Sequence, residues 1–251
     1  MIQLVDNFTT ELLAFWKCFI NNIFEWILTL CIGACAGLIA IAIEPHQENA
    51  VYNNPIENYP YSGETIGAPL LFIIVIVIPC IIIGFIAITY PRKLELCFAY
   101  ISLAQTLCIT LLITEALKVF VARPRPNYFH YCGFNKESKR CTGPESYQKD
   151  AKVSFPSGHA SISFCATTWF SLFLQQFFNF SGELWFILIR FTPTVIAIFI
   201  SATRITDYMH HVSDVISGAV LGMGIAVLIF NAQASRIKIQ SKRSYDPLAQ
   251  L

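Results

Sequence analysis

The sequence predicts an all-α, polytopic membrane protein with six transmembrane helices, and three observations predict it. Hydrophobic residues make up 55% of the 251 and charged residues only 13%, a balance foreign to soluble domains. Phenylalanine alone occurs 21 times. Six apolar stretches, near 24–43, 69–90, 97–121, 160–177, 184–203 and 212–231, are long enough at about 1.5 Å per residue to cross, or nearly cross, a hydrocarbon core of about 30 Å. Six such runs in one short chain do not suit buried helices of a soluble protein.

The first 23 residues precede these spans. They lack a basic start and a small-residue cleavage site, so a removable signal peptide is not expected. Their apolar positions recur at helical spacing, which predicts an interfacial amphipathic helix. The chain therefore divides into a cytoplasmic N-terminal segment (1–23), a six-helix membrane domain (24–231) and a basic cytoplasmic tail (232–251). No internal repeat, low-complexity tract or soluble domain interrupts it.

Lys and Arg placement sets the direction of the first span. Arg92 and Lys93 lie between spans two and three, and Arg236, Lys238, Lys242 and Arg243 lie in the tail. The loop from about 44 to 68 holds Glu44, Glu48, Glu57 and Glu64 with no Lys or Arg. Both termini are thus expected in the cytoplasm. The outer or lumenal loop 122–158 breaks the trend, with Arg123, Arg125, Lys136, Lys139, Arg140, Lys149 and Lys152. An anionic substrate would give those cations a reason to be there. Glycosylation at the sequons of Asn7 or Asn179, both on the expected cytoplasmic side, would overturn this topology.

Seven of the nine cysteines lie in or beside spans, as small apolar packing residues. Cys132 and Cys141 instead flank "GFNKESKR" in the outer loop. An oxidising compartment would let them pair; two free thiols are the alternative. No residue spacing reads as a metal site.

Three segments carry polar groups to that same face. In "KVFVARPRP", Pro124 should end the third span and turn Arg125 toward its mouth. Lys118 supplies a point charge and Arg125 a planar fork for phosphate oxygens; the bland reading is snorkelling to headgroups. In "PSGH", Ser157 is a good N-cap and Gly158 admits a close neighbour. The following helix N-terminus favours an anion beside His159; alone, this could be a simple loop-to-helix junction. In "ATRITDYMHHVSDV", a helix beginning near His210 would put His210 and Asp214 on one face, a carboxylate beside an imidazole. His211 could pair with Asp214 almost as well, and spacing does not choose. Glu115, one turn before Lys118, is expected to pair with it or with a nearby arginine.

Taken together these are a phosphate cradle, a nucleophile and a proton donor. Lys118 with Arg125-Pro126, Pro156-Ser157-Gly158-His159, and Arg204-x5-His210-x3-Asp214 resemble, in order and spacing, the three motifs of the type 2 phosphatidic acid phosphatase superfamily. "YPYSGETI", "RPRPNYFHYC" and "TDYMHHVSDV" look most like its integral-membrane lipid phosphate phosphatases. The resemblance covers residues 24–231; Thr203 stands where the third motif usually has serine. It implies His210 as nucleophile, Asp214 orienting it, and His159 as acid and then base. Lys118, Arg125, Ser157, Gly158 and Arg204 would bind phosphate. It implies a metal-independent phosphatase without cofactor, acting on lipid phosphomonoesters such as phosphatidate, lysophosphatidate, sphingosine 1-phosphate, ceramide 1-phosphate or diacylglycerol pyrophosphate.

The expected partners are that lipid substrate and membrane lipids, with no nucleic acid; a homo-oligomer is compatible with the sequence. The expected location is the plasma membrane or an endomembrane, with the catalytic face extracellular or lumenal. Rival readings are a polyprenyl pyrophosphate or sugar phosphate phosphatase of the same superfamily, a catalytically silent membrane interaction protein, and an anion channel or transporter. The last would have to explain His159, His210 and Asp214.

Overall fold

The computed structural model describes residues 2–45, 54–90, 96–178 and 182–237. Glu48, Arg92, Lys93, Asn179, Lys238, Lys242, Arg243 and the tail stretch "YDPL" from Tyr245, a pattern of the tyrosine-x-x-apolar sorting type, lie outside them. The chain is mostly helical. Helix α1 (Ile2–Asn21) leads into α2 (Ile23–Ala42), and α3 (Ala68–Phe72) continues through a π-helical turn (Ile73–Val77) into α4 (Ile78–Thr89). Helix α5 (Leu96–Val121) ends three residues before Pro124, as the missing N–H and the ring of proline require. The loop 122–157 holds two short helices, α6 (Tyr128–Tyr131) and α7 (Glu145–Asp150). Between them lies a two-stranded antiparallel hairpin, β1 (Phe134–Asn135) and β2 (Arg140–Cys141). Three long helices follow: α8 (Gly158–Phe178), α9 (Leu184–Thr206) and α10 (Val212–Gln233).

Every sequence-predicted span corresponds to a helix or, for 69–90, to the continuous α3–α4 run. Five of them are long and apolar enough to cross a membrane: α2, α3–α4, α5, α9 and α10. Helix α8 is not among them, because His159, Gln175 and Gln176 lower its hydropathy together with its Ser and Thr residues. Its Ser- and Thr-rich first half faces protein. Ala160, Ser161, Ser163, Cys165, Ala166, Trp169 and Phe173 are all essentially inaccessible, and hydroxyls join α8 to its neighbours. Thr114 Oγ1 donates to Ser161 Oγ (2.9 Å) and Trp169 Nε1 to Ser102 Oγ (2.9 Å). Such small and hydroxyl side chains are the usual means by which helices approach in lipid.

The closest approach is between α8 and α10. A Cβ at Gly218 would stand 2.6 Å from the Ser157 carbonyl oxygen, and one at Gly222 would collide with the Ser161 carbonyl. The pair Gly218-x3-Gly222 therefore lets two backbones touch, a packing that any side chain would prevent. This contact brings the start of α10 beside the start of α8.

Helix α1 packs against α4 and α5, with Asn7 Nδ2 donating to the Ile88 carbonyl (3.4 Å) and Phe15 edge-on to Tyr100. Leu13 and Ile20 stay exposed. At the opposite end of the bundle the loops 54–67, 122–157 and 207–211 converge. Tyr59 N–H donates to the Pro126 carbonyl (3.0 Å), Tyr59 stacks on Tyr208, and Tyr61 meets Tyr131 edge-on. Cys132 and Cys141 are joined in a disulfide across the hairpin.

Candidate active site

The site forms where α5 ends and where α8 and α10 begin. Gly158 opens α8, and a Cβ there would lie 3.2 Å from Lys118 Nζ, so the glycine makes room for the ammonium at the helix N-terminus. That terminus carries unpaired N–H groups and a partial positive charge. Ser157 precedes it, fully buried, with its Oγ accepting from Ala160 N–H at 3.4 Å. Its own N–H donates to the Asp214 carbonyl (3.0 Å), which ties the two helix starts together.

The arginines arrive from two other segments. Arg125 is buried; its Nε donates to the Asp150 carbonyl (2.7 Å), one terminal nitrogen to Asp150 Oδ1 (2.7 Å) and the other to the Met209 carbonyl (3.2 Å). Arg204, 1% exposed, binds Glu64 (2.9 Å) and Asp207 (2.8 Å). Its Nε and Nη2 also donate to Thr203 Oγ1 (3.3 and 3.2 Å), so the threonine at this position supplies the hydroxyl a serine would. The Arg204 carbonyl in turn accepts from the N–H groups of Met209 and His210. Each of Lys118, Arg125 and Arg204 thus has a carboxylate partner, Lys118 pairing with Glu115 at 2.7 Å as the sequence suggested. The positive loop 122–157 is balanced the same way, with Arg123 on Asp214 (2.7 Å) and Lys149 near Glu44 (3.9 Å).

The histidines are oriented by backbone carbonyls. His210 Nδ1 lies 2.7 Å from the Ser154 carbonyl oxygen. A carbonyl only accepts, so Nδ1 carries the proton and the neutral ring keeps its lone pair on Nε2. Burial holds His210 well below the usual imidazole pKa, and the positive charges of Arg125 and Lys118 push the same way. His159 hydrogen-bonds the Ile66 carbonyl, which leaves its Nε2 without a partner among the described residues. Arg204, Lys118 and Arg125 all act electrostatically on His159, and His159 acts on His210. Lys118, Arg125 and Arg204 thus lie within electrostatic reach of His159, and Lys118, Arg125 and His159 within that of His210, near the start of α8.

One sequence expectation needs correcting. His210 and Asp214 do not share a helical face, because α10 begins at Val212 with His211 as its N-cap. Asp214 Oδ2 accepts from the His211 N–H (3.0 Å), the carboxylate half of a capping box. His210 Nδ1 is 4.0 Å from that oxygen. The nearer link runs through Ser154, whose Oγ donates to Asp214 Oδ2 (2.6 Å) while its carbonyl holds His210. His211 points elsewhere, to the Pro124 carbonyl at 3.2 Å.

Sequence reasoning missed Ser154, Asp150, Asp207 and Glu64. Asp207 also accepts from Thr65 N–H (2.8 Å) and Thr65 Oγ1 (2.7 Å), pinning the loop before α3 over Arg204. The available signal was Asp207 three residues after Arg204, the spacing of a helical ion pair. Among the described residues, no group of three or more His, Cys, Asp or Glu could hold a metal ion.

The model of the PAP2 superfamily matches residues 99–238, which include all three motif segments. The chain belongs to this superfamily. Within it the relatives include proteins named lipid phosphate phosphatase and PA-phosphatase related. The protein named "Probable lipid phosphate phosphatase 4" of Arabidopsis thaliana is 30% identical over 228 residues, covering 84% of this chain and 72% of its own length. Lipid phosphate phosphatase 2 of the same plant is 32% identical over 183 residues, 68% of this chain and 63% of the relative. A PA-phosphatase related-family protein of Dictyostelium discoideum is 28% identical over 221 residues, 84% of this chain and 79% of the relative. No solved structure matches the chain.

Proposed function

We propose that this protein is a metal-independent lipid phosphate phosphatase that hydrolyses lipid phosphomonoesters through a phosphohistidine on His210. The observation that carries the reading is the tautomer of His210: Nδ1–H fixed on the Ser154 carbonyl, and the lone pair on Nε2 beside Lys118, Arg125 and His159. Nε2 attacks phosphorus in line as the ester P–O bond breaks. Protonated His159 delivers its Nε2 proton to the departing alkoxide. The neutral His159 then takes a proton from water, the hydroxide attacks phosphorus, and the P–N bond breaks to release inorganic phosphate and His210. Lys118, Arg125, Arg204 and the N–H groups at the start of α8 hold the non-bridging oxygens, where phosphoryl transfer most needs charge. Ser157 and Gly158 shape that terminus. Asp214 orients and charge-stabilises His210, across 4.0 Å and through Ser154 between them.

In this reading α8 completes a six-span bundle with the site at the extracellular or lumenal face and both termini in the cytoplasm. A phosphate cradle at the membrane surface suits a headgroup whose tails remain among lipids, as in phosphatidate, lysophosphatidate, sphingosine 1-phosphate, ceramide 1-phosphate or diacylglycerol pyrophosphate. One histidine must be neutral and the other protonated, so the rate should fall at both acid and alkaline extremes.

The test is phosphate release from phosphatidate in mixed micelles with excess EDTA. Wild-type activity should survive the chelator, and His210→Ala should reduce it by roughly a thousandfold or more. Activity lost to EDTA and restored by a divalent ion would sink the metal-free mechanism. Release that survives His210→Ala would mean a different nucleophile.

A further inference from the structure

The phosphate chemistry leaves a large cavity unused. It lies between α2, α3–α4 and α5, has a volume of about 640 Å³, and is walled by aliphatic, aromatic and thiol side chains. One end adjoins the reacting groups. Ala68 is two residues beyond Ile66, whose carbonyl holds His159, and Ile162 is three residues beyond His159 on α8. The other end is Tyr100, whose hydroxyl donates to the Cys80 carbonyl at 2.9 Å. That floor is tight: a Cβ at Gly84 would come within 3.2 Å of the Tyr100 oxygen, and Phe15 of α1 packs edge-on against the ring from outside. Leu111 and Tyr100, near the two ends, are eleven residues apart on α5, about 16 Å of helix. This is about half of a ~30 Å hydrocarbon core, the depth of one leaflet. The π-helical turn Ile73–Val77 forms part of the wall through Val75 and Ile76, an irregularity that recurs at functional sites.

We infer that this cavity receives one acyl chain of the lipid substrate, withdrawn from the bilayer, and that Tyr100 limits the length it accepts. The inference rests on the phosphatase reading above and adds a specificity-determining residue to it. The volume is that of a small-molecule site, the wall offers no charge, and Ala68 and Ile162 carry that wall to within three residues of Ile66 and His159, on the side from which the tail of a bound phosphate ester would enter. Lipid is as apolar as the cavity, so the gain is close packing against a fixed wall rather than escape from water. The effect should therefore appear as discrimination between chains.

The experiment uses the full chain and lysophosphatidates of increasing acyl length, at constant surface concentration in mixed micelles. For wild type, kcat/KM should rise with chain length and stop rising once the chain reaches the floor. Tyr100→Ala should move that limit to longer chains. Ala104→Phe, which projects into the middle of the wall, should lower kcat/KM for long chains at least tenfold while sparing a short-chain, water-soluble phosphatidate, whose hydrolysis shows that the variant is folded. Ala104→Leu should do the same more weakly and stands in if the phenylalanine variant does not accumulate. A chain-length profile that neither Tyr100→Ala nor the Ala104 variants alter would overturn the inference while leaving the phosphatase reading intact. Binding separates the two further. In a His210→Ala background, native mass spectrometry should detect bound oleoyl lysophosphatidate that Ala104→Phe displaces, and retention unaffected by Ala104→Phe would also overturn it. Failure of wild type to release phosphate from any of these lipids would instead sink the phosphatase reading.

Discussion

Helices α8 and α9 have nearly the same length and opposite characters. Helix α9 is the more apolar and the more exposed: Leu188, Val195, Ile198 and Phe199 are each more than half accessible. Helix α8 is too polar to count as a membrane-crossing helix on composition, yet its Trp169, Cys165 and Ala160 are wholly enclosed. In water the ordering would be reversed, since there the apolar helix would be the buried one. The contrast teaches that in a membrane protein hydropathy marks contact with lipid, while Ser, Thr, Gly and Ala mark contact with protein. The helix that carries the anion site is the least conspicuous by hydropathy because it lies innermost.

Substitutions on the two kinds of surface should therefore diverge. The largest difference is expected on α10, which has one face of each kind. Gly222→Leu would force α10 off α8 and should abolish accumulation of folded protein, whereas Val220→Leu, on the exposed face, should leave yield and thermal stability unchanged. Equal behaviour of the two would break the comparison. Next, Trp169→Ala should destabilise by about 3–5 kcal/mol, the cost of a large cavity. Phe199→Ala, 61% exposed, should stay within about 0.5 kcal/mol; reversible unfolding in mixed detergent reads both. A smaller effect, confined to chemistry, is expected of Ser154→Ala. It keeps the carbonyl on His210 but removes the hydroxyl from Asp214, and a bond to a charged group of that kind corresponds to a loss of roughly tenfold to a hundredfold in kcat. KM should hold, and Ser154→Thr should recover part of the rate.

The smallest effect concerns pH. His210 is held below its ordinary pKa by burial and by Arg125 and Lys118, and His211 by burial and Arg123. Below about pH 6.5 the unfolded chain binds protons at these positions that the folded chain refuses. Stability should fall as pH drops from about 6.5 toward the folded values, and His211→Gln should flatten part of that slope. A midpoint that stays constant or rises on acidification would contradict the burial assigned to these rings.

Most of the helical plan was legible because apolar runs and proline stops are local signals. Span 24–43 became Ile23–Ala42, and span 97–121 became Leu96–Val121. The motif residues were legible as well, since their spacing is fixed by helix starts and ends. Ser154 and Asp150 were not, because each acts through a loop backbone whose path no periodicity announces. His210 and Asp214 do lie within ion-pair distance, at 4.0 Å, but the start of α10 was misjudged for a related reason. Histidine is a poor N-cap signal, so the start of α10 was placed near His210 when Asp214, as its third helical residue, had already marked Val212 as the first.

The glycine contact between α8 and α10 has a consequence for how the site keeps its shape. Where two helices meet through interlocking side chains, their spacing can drift as those chains change rotamer. Gly218 and Gly222 remove that freedom, so the distance from the anion-binding end of one helix to the histidine ahead of the other is set by backbone alone. In the proposed reaction the groups around phosphorus would then need little rearrangement as charge builds, a preorganisation supplied by two residues that carry no functional group.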